Sequence, residues 1–249
     1  MTDQDGAETT EDTLLAGESL TRRFGDVVAL SEVSVTIEAG AVTAFVGPNG
    51  SGKTTLLSVL AGLLDPTDGT VSYRGPEARR RIGYLPQQPA FRPRFTARET
   101  LAFYAHLVDE DPDRLLERVG LDAVADRRIG ALSGGMVRLL GVAQALAGAP
   151  PVVALDEPAS SLDPAMSERV FDVAGDIAEE GRGVMLCSHD LALVERVADA
   201  VVVLDRGEVV AAGAPDTLRE EWGGPLVEEF GEVIGGDSSV IAAQTGAET

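Results

Sequence analysis

The sequence predicts an α/β domain built on a parallel sheet, and three observations predict it. Continuous apolar runs recur at Val42-Thr43-Ala44-Phe45-Val46, Val152-Val153-Ala154-Leu155 and Gly183-Val184-Met185-Leu186-Cys187, as expected of strands buried on both faces. Stretches of helical periodicity alternate with these runs. The first run passes directly into a glycine-rich turn and a helix start, Gly47-Pro48-Asn49-Gly50-Ser51-Gly52-Lys53-Thr54 followed by Thr55-Leu56-Leu57.

Taken in order, residues 1–14 hold five acids and no base and are expected to be disordered. Residues 19–25 and 27–30 follow, and Val33-Ser34-Val35-Thr36-Ile37 alternates apolar and polar, as a half-buried strand does. Glu38-Ala39-Gly40 is the turn into the first apolar run. The helix after the glycine-rich turn carries Leu56, Leu60 and Leu64 at a spacing of four. Asp65-Pro66-Thr67-Asp68-Gly69 ends it. Residues 70–73 form a short strand, and residues 79–84 lead into another. Leu85-Pro86-Gln87-Gln88-Pro89 breaks the pattern. From Thr96 to about Val124 the chain reads as helical, with Leu101, Tyr104, Ala105 and Val108 on one face. A turn at residues 131–135 opens a helix through Leu146, and further helices span about 165–179 and 191–197. Val201-Val202-Val203-Leu204 and Glu208-Val209-Val210-Ala211 flank Asp205-Arg206-Gly207, a hairpin signal. Residues 219–249 form an acidic tail of small residues and glycines. No internal repeat is visible.

The glycine-rich turn matches G-x-x-x-x-G-K-[ST], a phosphate-binding loop. Gly47, Gly50 and Gly52 can take backbone angles that a Cβ would forbid, so their N–H groups can turn inward onto phosphate oxygens. The helix starting near Lys53 adds a positive dipole end. Lys53 brings a full charge to the β- and γ-phosphates, and the Thr54 hydroxyl suits Mg²⁺. Lys53 is the only lysine; the other 19 of the 20 basic residues are arginine. The second apolar run ends in Asp156-Glu157. Asp156 is placed to hold Mg²⁺, directly or through water, and Glu157 to orient the water that attacks a γ-phosphate. The third ends in Ser188-His189-Asp190, and His189, one of two histidines, stands where a γ-phosphate sensor could sit. Ligands of parallel sheets bind beyond the carboxyl ends of the strands, where Gly47 and Asp156 both lie.

Composition narrows the possibilities. A length of 249 residues allows one large domain or two small ones. The net charge is −21, with −5 on residues 1–14 and −6 on residues 219–249, leaving −10 between them. No basic footprint for nucleic acid appears. Near-absence of lysine with abundant acid points to adaptation to high salt, which screens self-repulsion; an arginine-biased genome is the plainer alternative. Cys187 is the sole cysteine and sits in an apolar run, so it reads as an inert core thiol in a cytosolic protein. The acidic start is unlike a signal peptide, and no apolar run is long enough to span a membrane.

These motifs in this order resemble the ATP-binding subunit of an ABC transporter, over residues 15–218. Leu132-Ser133-Gly134-Gly135 resembles the family's signature, Gln87 the Q-loop glutamine with Gln88 as a second candidate, Ser160-Ser161-Leu162-Asp163 the D-loop, and His189 the H-loop histidine. Phe24 falls where the family stacks an aromatic on adenine. The resemblance implies a P-loop NTPase (RecA-like) core with an N-terminal antiparallel β subdomain and a helical subdomain inserted at about 88–140. It implies ATP and Mg²⁺ as ligands. Pro48, Asn49, Ser51, Thr55 and Asp163 join the nucleotide contacts, Lys53, Gln87, Glu157 and His189 the catalytic set, and Thr54, Gln87 and Asp156 the metal site. It further implies a homodimer or heterodimer of cassettes sandwiching two ATP molecules, each site taking Ser133-Gly134-Gly135 from the other subunit. Such a pair would drive integral membrane permease subunits from the inner face of the cell membrane. Gly134-Gly135 ahead of a helix is a second anion-binding N-terminus, and one triphosphate cannot fill both cradles of one chain.

Departures from the family pattern are Met136 where glutamine is frequent, Leu139 where a base is common, and Ser161 in place of the D-loop glycine. The alternative is a soluble ABC-type ATPase in cofactor assembly or repair. Repair types carry a long coiled coil before the signature, whereas only 80 positions separate Lys53 from Ser133, with no heptad run. The Leu-Ser-Gly-Gly-Met start and short single cassette resemble export-type or copper-processing subunits.

Overall fold

The computed structural model describes residues 12–233. Nine strands, eight α-helices and two short 3-10 helices are described. The centre is a six-stranded sheet in the order β5-β6-β7-β3-β8-β9. It comprises β3 (Val42–Val46), β5 (Ile82–Leu85), β6 (Val152–Asp156), β7 (Gly183–Cys187), β8 (Ala200–Asp205) and β9 (Glu208–Gly213). All neighbours are parallel except β9, which turns back on β8 through Arg206-Gly207. Both turn residues have positive φ, 47° and 85°, as a tight two-residue hairpin requires.

Both faces of this sheet are covered, so its strands could not alternate. Val42, Ala44, Val46, Leu155 and Leu186 face one apolar core, while Phe45, Ala154, Met185 and Cys187 face another. The second core is closed by a three-stranded antiparallel sheet in the order β2-β1-β4, formed by β1 (Thr13–Phe24), β2 (Val27–Glu38) and β4 (Asp68–Tyr73). Leu15, Leu20, Val33 and Ile37 meet Leu56, Leu57 and Leu60 of α1 (Lys53–Leu60) there. The first core is covered by α2 (Ala97–Val108), α3 (Pro112–Arg118), α4 (Gly134–Leu146), α5 (Pro164–Glu179) and α6 (Leu191–Val197). At the C-terminal end stand α7 (Pro215–Trp222) and α8 (Leu226–Val233).

Four expectations are corrected. β1 starts at Thr13, with Thr13 and Leu14 buried, inside the stretch expected to be disordered; the remainder of that expectation, residues 1–11, lies outside the described residues. α1 stops at Leu60, because Gly62 turns left-handed at φ 69° and closes the helix; Leu64 lies beyond it. The single helix expected at 96–124 is two. Asp109 takes φ 60°, and Asp111 is extended ahead of Pro112, since a residue preceding proline is barred from the helical region. The acidic tail does not begin at Arg219: α7 runs through that position, and Leu226 of α8 is fully buried in the first core. Residues 234–249 of the tail lie outside the described residues.

Candidate functional site

β6, β7 and β3 are neighbours, so their carboxyl ends meet along one edge. The Glu157 N–H donates to the Cys187 carbonyl and the Ser188 N–H to the Phe45 carbonyl, both at 3.1 Å. This brings the glycine-rich loop, Asp156-Glu157 and Ser188-His189 together, although more than 130 residues separate the first from the last.

The loop is shaped for a phosphate. Gly47, Gly50 and Gly52 have φ of 154°, 84° and 107°. A Cβ on Gly47 would stand 2.2 Å from the Leu204 carbonyl oxygen, whereas one on Gly50 would meet nothing within 4 Å. The loop therefore lies tight against β8 and open on its other side. α1 has no side-chain N-cap, which leaves its first-turn N–H groups for an anion. The Ser51 hydroxyl is buried with no partner among the described residues. Lys53 is buried, and its ammonium donates to the Gly47 and Pro48 carbonyls at 2.8 and 3.0 Å. It spans the loop from within. Asn49 is exposed and Thr55 is half-buried.

Thr54 and Asp156 form the candidate cation site. The Thr54 hydroxyl donates to Asp156 Oδ1 at 3.0 Å, and the Tyr84 hydroxyl approaches Oδ2 at 3.5 Å. Burial pushes the Asp156 carboxyl above its ordinary range, against the pull of the Thr54 hydrogen bond. Hard oxygen donors with a destabilised negative charge suit a divalent cation. Among the described residues no group of three or more His, Cys, Asp or Glu could hold a metal alone. Such an ion would depend on substrate phosphates and water for its remaining ligands. Gln87 is exposed in the loop after β5, beside Gln88.

Next to that pair, His189 Nδ1 lies 2.8 Å from Glu157 Oε2. The hydrogen bond to Glu157 raises the His189 pKa against its partial burial. Glu157 has φ 46°, a left-handed angle that costs a non-glycine residue about 1–3 kcal/mol.

The signature lies apart from this cluster. Ser133 and Gly134 are exposed at the start of α4, and among the described residues no hydrogen bond or ion pair joins them to the glycine-rich loop. Ser133 caps α4, accepting from the Met136 N–H at 3.3 Å. Gly135 packs directly against the Met166 side chain, which a Cβ there would have to displace. Asp163 caps α5, accepting from the Met166 N–H at 3.0 Å. Ser161, the replaced glycine, has φ 64°, the conformation glycine takes without strain. Phe24 is 46% exposed at the end of β1, with the Arg22 guanidinium over its ring at 4.6 Å. It is not the core aromatic that an early strand could have made it. Phe91 is half-buried against the first core, whereas Phe95 is exposed.

Leu139 is buried in the first core, and the basic residue of this helix is its neighbour Arg138, which contacts the loops carrying Gln87 and Ser160. Sequence reading passed over Arg138. The signal was an arginine amid the apolar Met136-Val137 and Leu139-Leu140, a charge on a helix otherwise destined for the core.

The chain is similar to several known proteins. A family model described as ABC transporter matches residues 30–160, just over half of the chain. An ABC transporter ATP-binding protein of Bacillus subtilis is 40% identical over 217 residues, covering 84% of this chain and 73% of its own. A Nod factor export ATP-binding protein of Burkholderia lata is 36% identical, covering 84% and 74%. A solved dimeric ATP-binding cassette in a post-hydrolysis state, bound to ADP and phosphate, superposes with a TM-score of 0.69 at 26% identity, over 81% of this chain and 98% of that one. Phosphate loop, paired acids, distal histidine and a separate exposed signature on a P-loop NTPase fold have one consistent reading: the chain belongs to the ABC transporter family, as an ATP-binding subunit.

Proposed function

We propose that this subunit hydrolyses Mg-ATP within a head-to-tail pair of cassettes and drives an export-type permease from the cytoplasmic face of the cell membrane. The observation that carries the reading is the alignment of Lys53, the Thr54–Asp156 pair and the Glu157–His189 pair along three adjacent strand ends. Lys53 and the loop N–H groups hold the β- and γ-phosphates. A Mg²⁺ ion at Thr54 and Asp156, reached by Gln87, would neutralise charge between those phosphates. Glu157 orients and deprotonates the attacking water, whose oxygen bonds to the γ-phosphorus as the bond to the bridging oxygen breaks. His189, held through Nδ1 by Glu157, turns its other nitrogen to the γ-phosphate. Phe24 offers a free ring face to the base.

Exposure of Ser133 and Gly134 away from the chain's own loop supports a second cassette as the source of the signature contacts. Asp163, occupied as a helix cap, supports the dimer by shaping the turn before α5. Export is supported by the relative named for Nod factor export. Among the described residues no helix is long and apolar enough to cross a membrane; the permease subunits are part of the same proposal.

Lys53 meets charge present before reaction, so Lys53→Ala should weaken ATP binding and hydrolysis together. Glu157 acts on the attacking water, so Glu157→Gln should retain ATP and lose about a hundredfold in turnover. The same variant should accumulate as an ATP-dependent dimer on size exclusion with Mg-ATP in high salt. Parental turnover in Glu157→Gln, or an ATP-loaded monomer under conditions where the parent is folded, would overturn the sandwich.

A further inference from the structure

One turn into α4, Arg138 is 8% exposed, a charge almost wholly removed from water. Its guanidinium donates to three backbone carbonyls on two separate loops. Nη1 serves Pro86 at 3.3 Å and Gln87, and Nη2 serves Ser160 at 3.4 Å. Burial pulls its pKa below the ordinary arginine value, and the nearby carboxylates of Asp156 and Glu157 push it back up. A buried charge is tolerated only when hydrogen-bonded. A rigid planar fork is the side chain able to serve several fixed carbonyls at once.

The two loops are the ones that carry the proposed chemistry. One holds Gln87. The other is the turn 157–161, in which Glu157 and Ser161 both have left-handed φ, 46° and 64°. It is closed by the Ser160 N–H donating to the Glu157 carbonyl at 3.1 Å. A turn with two strained residues persists only where its surroundings hold it, and Arg138 holds it at the Ser160 carbonyl. The helix supplying this clamp begins with the signature glycines.

We propose that Arg138 is a positioning residue that locks the Gln87 loop and the Glu157 turn to the signature helix. Glu157 and Gln87 then reach their working positions only together with α4. The catalytic part of this rests on the ATPase reading above; the clamp itself does not.

The test uses the full chain with Arg138→Met, which keeps the stem and removes the donors, and Arg138→Lys, which keeps the charge and loses the fork. In Arg138→Met, kcat should fall about ten- to hundredfold, as for a misplaced catalytic group, while KM for Mg-ATP changes less than about twofold. Arg138→Lys should restore only part of the loss. Adding Gln87→Ala to Arg138→Met should cost little more, because residues acting as one unit are not additive. Hydrogen exchange should rise at residues 86–88 and 157–161 in both variants, while β3 and β6 stay protected. Parental kcat, a KM rising in step with the loss of kcat, full additivity with Gln87→Ala, or unchanged exchange in those segments would each overturn the proposal. Exchange is read without turnover. An inactive parent with raised exchange in the variants would therefore sink the ATPase reading and leave the clamp standing. If Arg138→Met does not fold, Arg138→Lys carries the same measurements.

Discussion

Glu157 shows how one position serves two demands. Its backbone is strained at φ 46°, and its carboxylate is engaged by His189 at 2.8 Å. The hydrogen bond raises the His189 pKa above its ordinary value near 6.5. The pair therefore contributes its full stability below about pH 6.5, where the unfolded histidine is also charged, and loses it as pH rises through the native value. His189 should titrate above 6.5 by NMR, and Glu157→Gln should bring the midpoint down. With only two histidines in the chain, that substitution also identifies the resonance. The His189 side chain is 66% exposed, so molar salt should shrink the shift. A midpoint unmoved by Glu157→Gln would mean the contact is not formed in solution. Cys187, fully buried in the second core, has its thiol pKa raised well above the ordinary value by burial, in keeping with an inert core thiol.

Among the elements, α2 presents the clearest unassigned surface. Phe103 and Leu107, one turn apart, are 65% and 64% exposed, and Phe95 just ahead of the helix is also exposed, with the Arg92 guanidinium over its ring. Aromatic and arginine side chains together make strong interface anchors, and a helix of this kind ordinarily turns its apolar residues inward. This is the surface that we propose meets the permease. Phe91 is not part of it, being half-buried against the core. Phe103→Ala and Leu107→Ala should weaken copurification with the membrane subunit at least about fivefold, given the loss of 1 kcal/mol or more at an anchor, and leave nucleotide affinity unchanged. Parental copurification of the double variant would place the contact elsewhere. Arg98, bridging Asp113 and Asp126, ties α2 to the helix and loop that follow, so the patch is carried on a braced element.

At the scale of the molecule, charge is the outstanding property. A net −21 with a single lysine implies strong self-repulsion in dilute buffer. At about 1 M salt the Debye length falls to roughly 3 Å, which screens it. The helical signal in circular dichroism should therefore rise cooperatively as KCl increases from low to molar levels. A cooperative fold at full amplitude in dilute buffer would show that the acidity reflects composition alone. The apolar interior sets no such requirement, because the sheet is covered on both faces.

Most of the site was legible because its residues are bound to local chain geometry. A loop with Gly47, Gly50 and Gly52 flanking a lone lysine needs no distant partner to be recognised, and apolar strands ending in Asp156-Glu157 and Ser188-His189 mark their own carboxyl ends. Where Thr96 to Val124 breaks was also written locally, in Asp111-Pro112, but the helical periodicity around it masked the stop. Leu226 joining the core and Phe91 turning inward were not written locally, since each depends on a surface supplied from elsewhere in the chain. The sequence by itself determined the strand–loop–helix chemistry, because backbone conformation and residue type are short-range properties. Only the tertiary structure decided that Arg138 reaches the carbonyls of Pro86, Gln87 and Ser160, because a hydrogen bond between residues 22 to 52 positions apart exists only once the sheet has brought their loops to one edge.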